Sequence, residues 1–507
     1  MLVNLRRRFL GQLGAATLSP LLWRNDSTWF LQATPPSRLA TDPLRPQYHL
    51  LPPANWMNDP NGPIWFNGRY HMFYQYNPHG AFWGSMHWGH ATSPDMVHWH
   101  HEPLALTPTP GGYDRDGVFS GCVVLDRGVP TLIYTGVEPP ATPAEATLRD
   151  GSHSWREVQC LAVSHDGLRT WRKLGEPILA SPPPGLVVTG FRDPCVWQEG
   201  KEWRMALGSG FAGKGGAILL YRSPDLRRWT YLYPLAEGKG TGQPSPNPVD
   251  NGEMWECPEF FPLGDRHVLL ISTMGKVLWK SGTYAGGQFS PDREGEVDSG
   301  AYYAARTMLD RRGQRILWGW IPERRPEAEH RAAGWAGVMS LPRVLSLDSG
   351  GQLHMAPAPA IEALRGEHTQ IRAGIDSSRR LRTLQIRDLA AEFRIEFLPD
   401  SAFLFQLQSR QDDPFLEIAY NPADTGRELR LNGSRFALAS TTQAPIVLRP
   451  FVDGSVVELF GDNTSAITER VYRAPQTPLR VVVPRTKSLL SLDLWQMRPI
   501  STDRLTG

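Results

Sequence analysis

The sequence predicts an all-β protein, a β-propeller followed by a β-sandwich. Three observations predict it. The 507 residues include 48 glycines and 45 prolines, the density that many short strands joined by turns require. A short phrase, Ser-x-Asp followed by Trp, returns three times in the first two-thirds of the chain. Beyond about residue 345 the texture changes to brief strand-like runs divided by turn signals. The chain is long enough for two or three domains, each with its own core.

Residues 1–44 read as an export signal and linker. Arg6-Arg7-Arg8-Phe9-Leu10 precedes a weakly apolar, Gly/Ala-rich stretch, the order of a twin-arginine signal. The apolar run is too short for a membrane span. "QATPPSRLATDPLRP" reads as a Pro-containing linker. Export to the periplasm or medium is the expectation.

Residues 45–345 read as the propeller. "SPDMVHW" occupies 93–99, "SHDGLRTW" 164–171 and "SPDLRRW" 223–229, each after an apolar run. Asp95, Asp166 and Asp225 recur at intervals of 71 and 59 residues, which suits blades with long loops. A Ser-x-Asp turn caps a hairpin by side-chain to backbone hydrogen bonds, and its Trp packs between blades. These repeats are expected to be structural.

Residues 346–507 read as the sandwich. "EFRIEF", "FLFQLQ", "LEIAY", "SVVELF" and "LRVVV" are short β-rich runs, several alternating apolar and polar, with "NGS" and "VDGS" as turns. No concentration of His, Cys, Trp and carboxylates occurs here, so the chemistry is expected in the propeller.

Composition narrows the partners. Lys and Arg number 53 against 51 Asp and Glu, a net charge of +2. That balance supplies no electrostatic reason to expect nucleic acid or an anionic membrane as partner. Four scattered cysteines, Cys122, Cys160, Cys195 and Cys257, contain no CxxC pair, so neither a disulfide scaffold nor a zinc site is expected. The 18 tryptophans suit sugar rings as well as a β-rich core.

Three acidic residues share one local context: Asp59 in "NDPNG", Asp193 in "FRDPCVW" and Glu256 in "MWECPEF". Each stands one or two residues before a proline and near an aromatic. Their separations, 134 and 63 residues, are close to two blade intervals and one, so a propeller would bring them together at one end of its axis. A lone Asp-Pro is usually a turn; three on blade spacing are a site. Clustered carboxylates divide into one ionised and one protonated group, the division glycosidic cleavage needs. Metal binding with His87, His90, His98, His100 and His101 is the competing chemistry. These histidines lie in a strand-like segment without a helical i, i+4 pair, so no metal or other cofactor is expected.

"WMNDPNG", "FYQYNP", "WGSMHWGHATSPDMVHW", "FSGC", "FRDP" and "WECPEF" stand in the order seen in glycoside hydrolase family 32, the invertases, exo-inulinases, levanases and related fructosyltransferases. The chain resembles that family from about residue 45 to 500, "DGSVVELFGDN" falling on its sandwich domain. The resemblance implies five blades. It implies Asp59 as nucleophile toward a β-fructosyl anomeric carbon, Glu256 as acid and then base, and Asp193 as the residue that binds fructose hydroxyls and stabilises the oxocarbenium-like state. Asn58, Gln75, Trp83 and Ser120 fall on ring-holding positions, and Arg192 stands beside Asp193 as a further substrate-binding residue. Trp56 and Phe119 are expected as pocket walls, with core packing an equal reading. Surrounding donors would keep Asp59 ionised, and its carboxyl would lie about 5–5.5 Å from that of Glu256, the retaining distance. Cys122 and Cys195 depart from the family's usual residues and bear on substrate preference. "NPHGAFWGSMHWGH" resembles the forms acting on sucrose and fructans, whereas "WGWIPE" and "GWAGVMSLPR" resemble invertases. The substrate expected is thus a small or polymeric fructoside, sucrose, levan or inulin. Fructosyl transfer, an inverting arabinan-cleaving enzyme and a non-catalytic sugar-binding protein are the alternatives. The oligomeric state is left open.

Overall fold

The computed structural model describes residues 35–502 apart from 150–153, 374–376, 410–413, 425–426, 439–443, 474–477 and 485–486. The stretch Arg6–Leu10, read from sequence as an export signal, lies outside the described residues. The linker reading of residues 35–44 needs correction. Pro36–Thr41 is a short helix begun by proline, which suits a first helical position because its missing N–H has no intrahelical partner there. Its Leu39 is buried with Leu51, Trp335, Val338 and Val456, so this segment is docked.

Residues 55–357 form five sheets, blades I–V. Their first strands are Asn55–Phe66, Gly117–Asp126, Phe191–Glu199, Glu256–Leu263 and Tyr303–Leu309. These inner strands touch in a closed ring, I to II and onward to V, and V back to I. One short segment closes the ring. Trp335–Ala336 pairs with Asn55 and Trp56 of blade I, and Val338–Met339 pairs with Trp320 and Ile321 of blade V.

The repeats are turns between the third and outer strands of blades I–III. Asp95 accepts from the backbone N–H of Val97 and His98 at 3.1 and 2.9 Å. Asp166 accepts from Arg169 and Thr170 at 3.1 and 3.0 Å, and Asp225 from Arg227 and Arg228 at 3.0 and 2.9 Å. These bonds hold Met96, Leu168 and Leu226 at φ of 72°, 71° and 63°, a left-handed conformation that side chains normally resist. The motif is a turn cap.

The division read at 345/346 needs correction. It falls inside the strand Arg343–Leu347, which with Leu353–Pro357 completes blade V. Both strands alternate buried and more exposed residues as sandwich strands do, so the sequence shows no step at the true junction. The sandwich follows from Arg365 as two six-stranded sheets. In one, Phe403–Gln408 alternates buried and half-buried residues; the apolar faces of both sheets share one core.

Candidate active site

At a matching place in every inner strand the register against the second strand slips by a residue, and in blade I it slips again between Asn61 and Ile64. Met57–Pro60 spans Tyr76–Tyr74, Val118–Gly121 spans Gly136–Tyr134, and Arg192–Cys195 spans Gly208–Ala206. Glu256–Glu259 spans Ser272–Leu270, and Tyr303–Arg306 spans Trp320–Trp318. Such a bulge leaves a residue unpaired and re-aims its neighbours' side chains. Pro194 and Pro258 stand inside two of these bulges, where a missing ladder donor costs nothing, and Pro60, in register with Tyr74, closes a third. That is the physical meaning of the carboxylate-before-proline pattern.

The five bulges surround one hollow of about 260 Å³. Every blade contributes: Asn58 and Asp59 from I, Phe119 and Ser120 from II, Arg192 and Asp193 from III, Glu256 from IV and Tyr303 from V. Gln75 and Trp83 line it too. Trp56 does not, and the wall expected of it is corrected. Its ring packs against Trp320 and His330, and its Nε1 donates to Asn58 Oδ1 at 2.8 Å. Trp56 therefore orients Asn58 from behind. Period-two alternation alone would send Trp56 and Asn58 to the same face; the bulge beside them separates their surroundings.

Asp59 receives Asn58 Nδ2 on Oδ1 at 3.0 Å and Ser120 Oγ on Oδ2 at 2.6 Å. Burial pushes its carboxyl above the ordinary range; the two donors oppose that rise and nearby Glu256 adds to it. The donors foreseen for Asp59 are present, and burial outweighs them. Asp193 has φ of 64°, held by its N–H donating to Thr135 Oγ1 at 3.0 Å, while its Oδ2 accepts the Cys257 N–H at 3.0 Å. Burial lifts Asp193 to about 7, with Arg192 opposing and Glu256 and Asp59 adding to the rise. Glu256 accepts Arg192 Nη2 on Oε1 at 2.8 Å and the Tyr303 hydroxyl on Oε2 at 2.6 Å. Burial, then Glu256, hold the Tyr303 hydroxyl well above its usual range, so it remains a donor. The Cys257 thiol lies 3.6 Å from both Asp59 Oδ2 and Asp193 Oδ2; burial and these carboxylates keep it protonated.

The histidines weighed as ligands are spread over blade I. His90 Nε2 meets His71 Nδ1 at 3.0 Å, His98 pairs with Asp95 at 2.7 Å, and His101 meets the Tyr74 hydroxyl at 3.0 Å. Residues that the sequence reading missed include Tyr303, Trp155, Asn247 and Trp320. Tyr303 stands 47 residues beyond Glu256, short of the 59- and 71-residue repeat intervals, and like the rest it carries no local mark.

Two family models match, the glycosyl hydrolases family 32 N-terminal domain over residues 49–357 and the family 32 C-terminal domain over 360–496. The chain belongs to glycoside hydrolase family 32. This family 32 enzyme is a glycosidase of the β-fructofuranosidase type. It is 39% identical over 464 residues to a sucrose-6-phosphate hydrolase of Escherichia coli, covering 85% of this chain and 90% of that protein. It is 33% identical over 473 residues to a levanase of Bacillus subtilis strain 168, covering 84% and 66%. A β-fructofuranosidase variant from Bombyx mori, solved in complex with sucrose, superposes with a TM-score of 0.76 at 28% identity, covering 92% of this chain and 96% of that one. These neighbours share the five-bladed propeller and C-terminal sandwich seen in this family 32 chain.

Proposed function

We propose that this enzyme is a retaining exo-acting β-fructosidase that releases terminal fructose from neutral sucrose and fructans. One observation carries the reading: Asp59, Asp193 and Glu256, far apart in sequence, line one sugar-sized hollow. A carboxylate pair of this kind performs two-step displacement. An Asp59 oxygen attacks the fructosyl anomeric carbon while its bond to the leaving oxygen breaks, and Glu256 gives that oxygen its proton. Glu256, now a carboxylate, takes a proton from water, whose oxygen displaces Asp59 from the same carbon. Asp193 accepts hydrogen bonds from fructose hydroxyls, and these strengthen as the ring gains positive charge. Asn58, Gln75 and Ser120 hold the ring, Arg192 orients Glu256, and Trp83 and Phe119 wall the sugar.

The charge of the lining favours neutral substrates. Among the described residues Arg192 is the one cation that lines the hollow, and its N–H groups already serve Glu157 and Glu256. Among the described residues no second guanidinium or ammonium stands in that lining to meet a phosphate, which such groups usually bind. The sequence of residues 1–44 adds export as part of the proposal; cell fractionation with and without Arg6-Arg7 tests it.

Purified enzyme should be given sucrose, sucrose 6-phosphate, levan and inulin, and the first product followed by NMR. The reading expects β-fructofuranose first, with sucrose preferred to its phosphate. First release of the α-anomer would sink retention, and preference for the phosphate would sink the neutral-substrate reading. Product analysis at high sucrose separates water from sugar as acceptor: lengthened oligosaccharides would indicate transfer.

A further inference from the structure

Arg192 is held between two carboxylates, only one of which faces the hollow. Its Nε and Nη2 donate to Glu256 Oε1 at 3.1 and 2.8 Å, and its Nη1 donates to Glu157 Oε1 at 2.9 Å. Glu157 stands on the third strand of blade II, Ser154–Val163, and is 0% exposed. Its second oxygen accepts the backbone N–H of Phe191 at 2.7 Å. Two residues along the same strand face, Gln159 donates to the Phe191 carbonyl at 2.8 Å. Gln159 Oε1 accepts the Thr135 hydroxyl at 2.9 Å, and Thr135 Oγ1 in turn accepts the Asp193 N–H at 3.0 Å. Both polar groups of Phe191 are thus gripped from blade II, immediately before the left-handed kink at Asp193. Gly190 completes the fit, since a Cβ there would stand 2.8 Å from Arg192 Nη1.

We propose that Glu157 is a positioning residue for the acid step: it fixes the Arg192 guanidinium from behind and offsets its charge, so that Arg192 orients Glu256 without stripping its proton. A buried cation tied to one carboxylate favours that carboxylate's ionised form strongly; shared between two, it acts on each less. Glu256 is otherwise faced by Tyr303 from blade V, Asp59 from blade I, and Asp193 and Cys257 at the adjoining bulges. Of these neighbours Arg192 alone is cationic. Removing the charge of Glu157 therefore leaves Arg192 acting on Glu256 unopposed, and the proton needed by the leaving group is lost at lower pH. The inference rests on Glu256 being the general acid.

The test compares Glu157→Gln, Glu157→Asp and Glu256→Gln with the parent, reading kcat/KM against pH on sucrose and on 4-nitrophenyl β-fructofuranoside, whose leaving group needs no proton. Glu157→Gln should lose about ten- to a hundredfold on sucrose, a part of what a general acid supplies, and much less on the nitrophenyl substrate. Its alkaline limb on sucrose should move to lower pH by about one unit. Glu157→Asp keeps the charge on a shorter arm; it should lose rate on sucrose selectively with the limb unmoved, and it carries the test if the Gln variant does not fold. Equal losses on both substrates, or a Glu157→Gln profile matching the parent, overturn the inference. Glu256→Gln distinguishes the two readings: if it too shows no dependence on the leaving group, the acid assignment itself fails. If it shows that dependence and Glu157→Gln does not, only the role of Glu157 falls.

Discussion

Ser120 Oγ donates to Asp59 Oδ2 at 2.6 Å, tying the inner strand of blade II to that of blade I at the base of the hollow. This bond opposes the rise that burial imposes on Asp59. Ser120→Ala removes it, so Asp59 holds its proton to higher pH. A hydrogen bond to a charged group contributes about 1.5–3 kcal/mol, so the acidic limb of kcat/KM should move up by about one to two pH units. A pH profile on sucrose checks this; an unmoved acidic limb would remove Asp59 from the rate-determining ionisation.

Asp193 is lifted to about 7 by burial, against an ordinary carboxylate value near 3.9. The folded enzyme therefore binds a proton here that the unfolded chain has released, and the stability from this group declines as pH rises from about 4 to about 7. Asp193→Asn abolishes that decline. The variant should be inactive yet melt a few degrees above the parent at pH 7.5, with the gap closing toward pH 4. Thermal melts across that window decide the matter, and a less stable variant at pH 7.5 would refute it.

A buried charge network joins propeller to sandwich. Arg343 of blade V donates to Glu458 Oε2 at 2.6 Å and lies 2.9 Å from Asp298, while His49 bridges Asp453 and Glu458 at 2.8 and 3.0 Å. Burial alone would lower His49; its hydrogen bonds to Asp453 and Glu458 more than offset this and raise it to about 9. The stability it contributes is full below about 6.5 and is lost as pH rises through about 9. The melting temperature should fall over that interval. Glu458→Gln leaves two buried cations short of a partner and should cost about 3–5 kcal/mol in denaturant unfolding.

Trp83 is 42% exposed, with its ring centroid 5.9 Å from Trp155 and 6.0 Å from Phe119. Such a ring offers an apolar face to a sugar and carries little of the core. Trp83→Ala should raise KM for sucrose by about tenfold while kcat and the melting temperature change little, since it removes ground-state and transition-state contacts alike. A loss confined to kcat would contradict that role.

Much of the site was legible because proline marks a bulge locally. Asp59, Asp193 and Glu256 each precede a proline that stands within a bulge or closes one, so the residues that aim inward announced themselves. Blade V has the same bulge built on Ala304 and Ala305, and without proline Tyr303 went unseen. Trp56 was expected as a wall from its place in the family motif, and nothing local marks that its Nε1 turns to Asn58 and its ring to Trp320 and His330. Glu157 lay beyond reach: among 51 acidic residues, nothing near it in the chain says that its partner will be Arg192.

The amino-acid order by itself determined the strands, the turn caps and the three carboxylates, because periodicity, Ser-x-Asp turns and X-Pro bulges act over a few residues. The tertiary structure alone decided which side chains share the hollow and which carboxylates share Arg192. Those outcomes follow from ring closure, when Trp335–Ala336 joins blade I and brings five distant bulges around one axis.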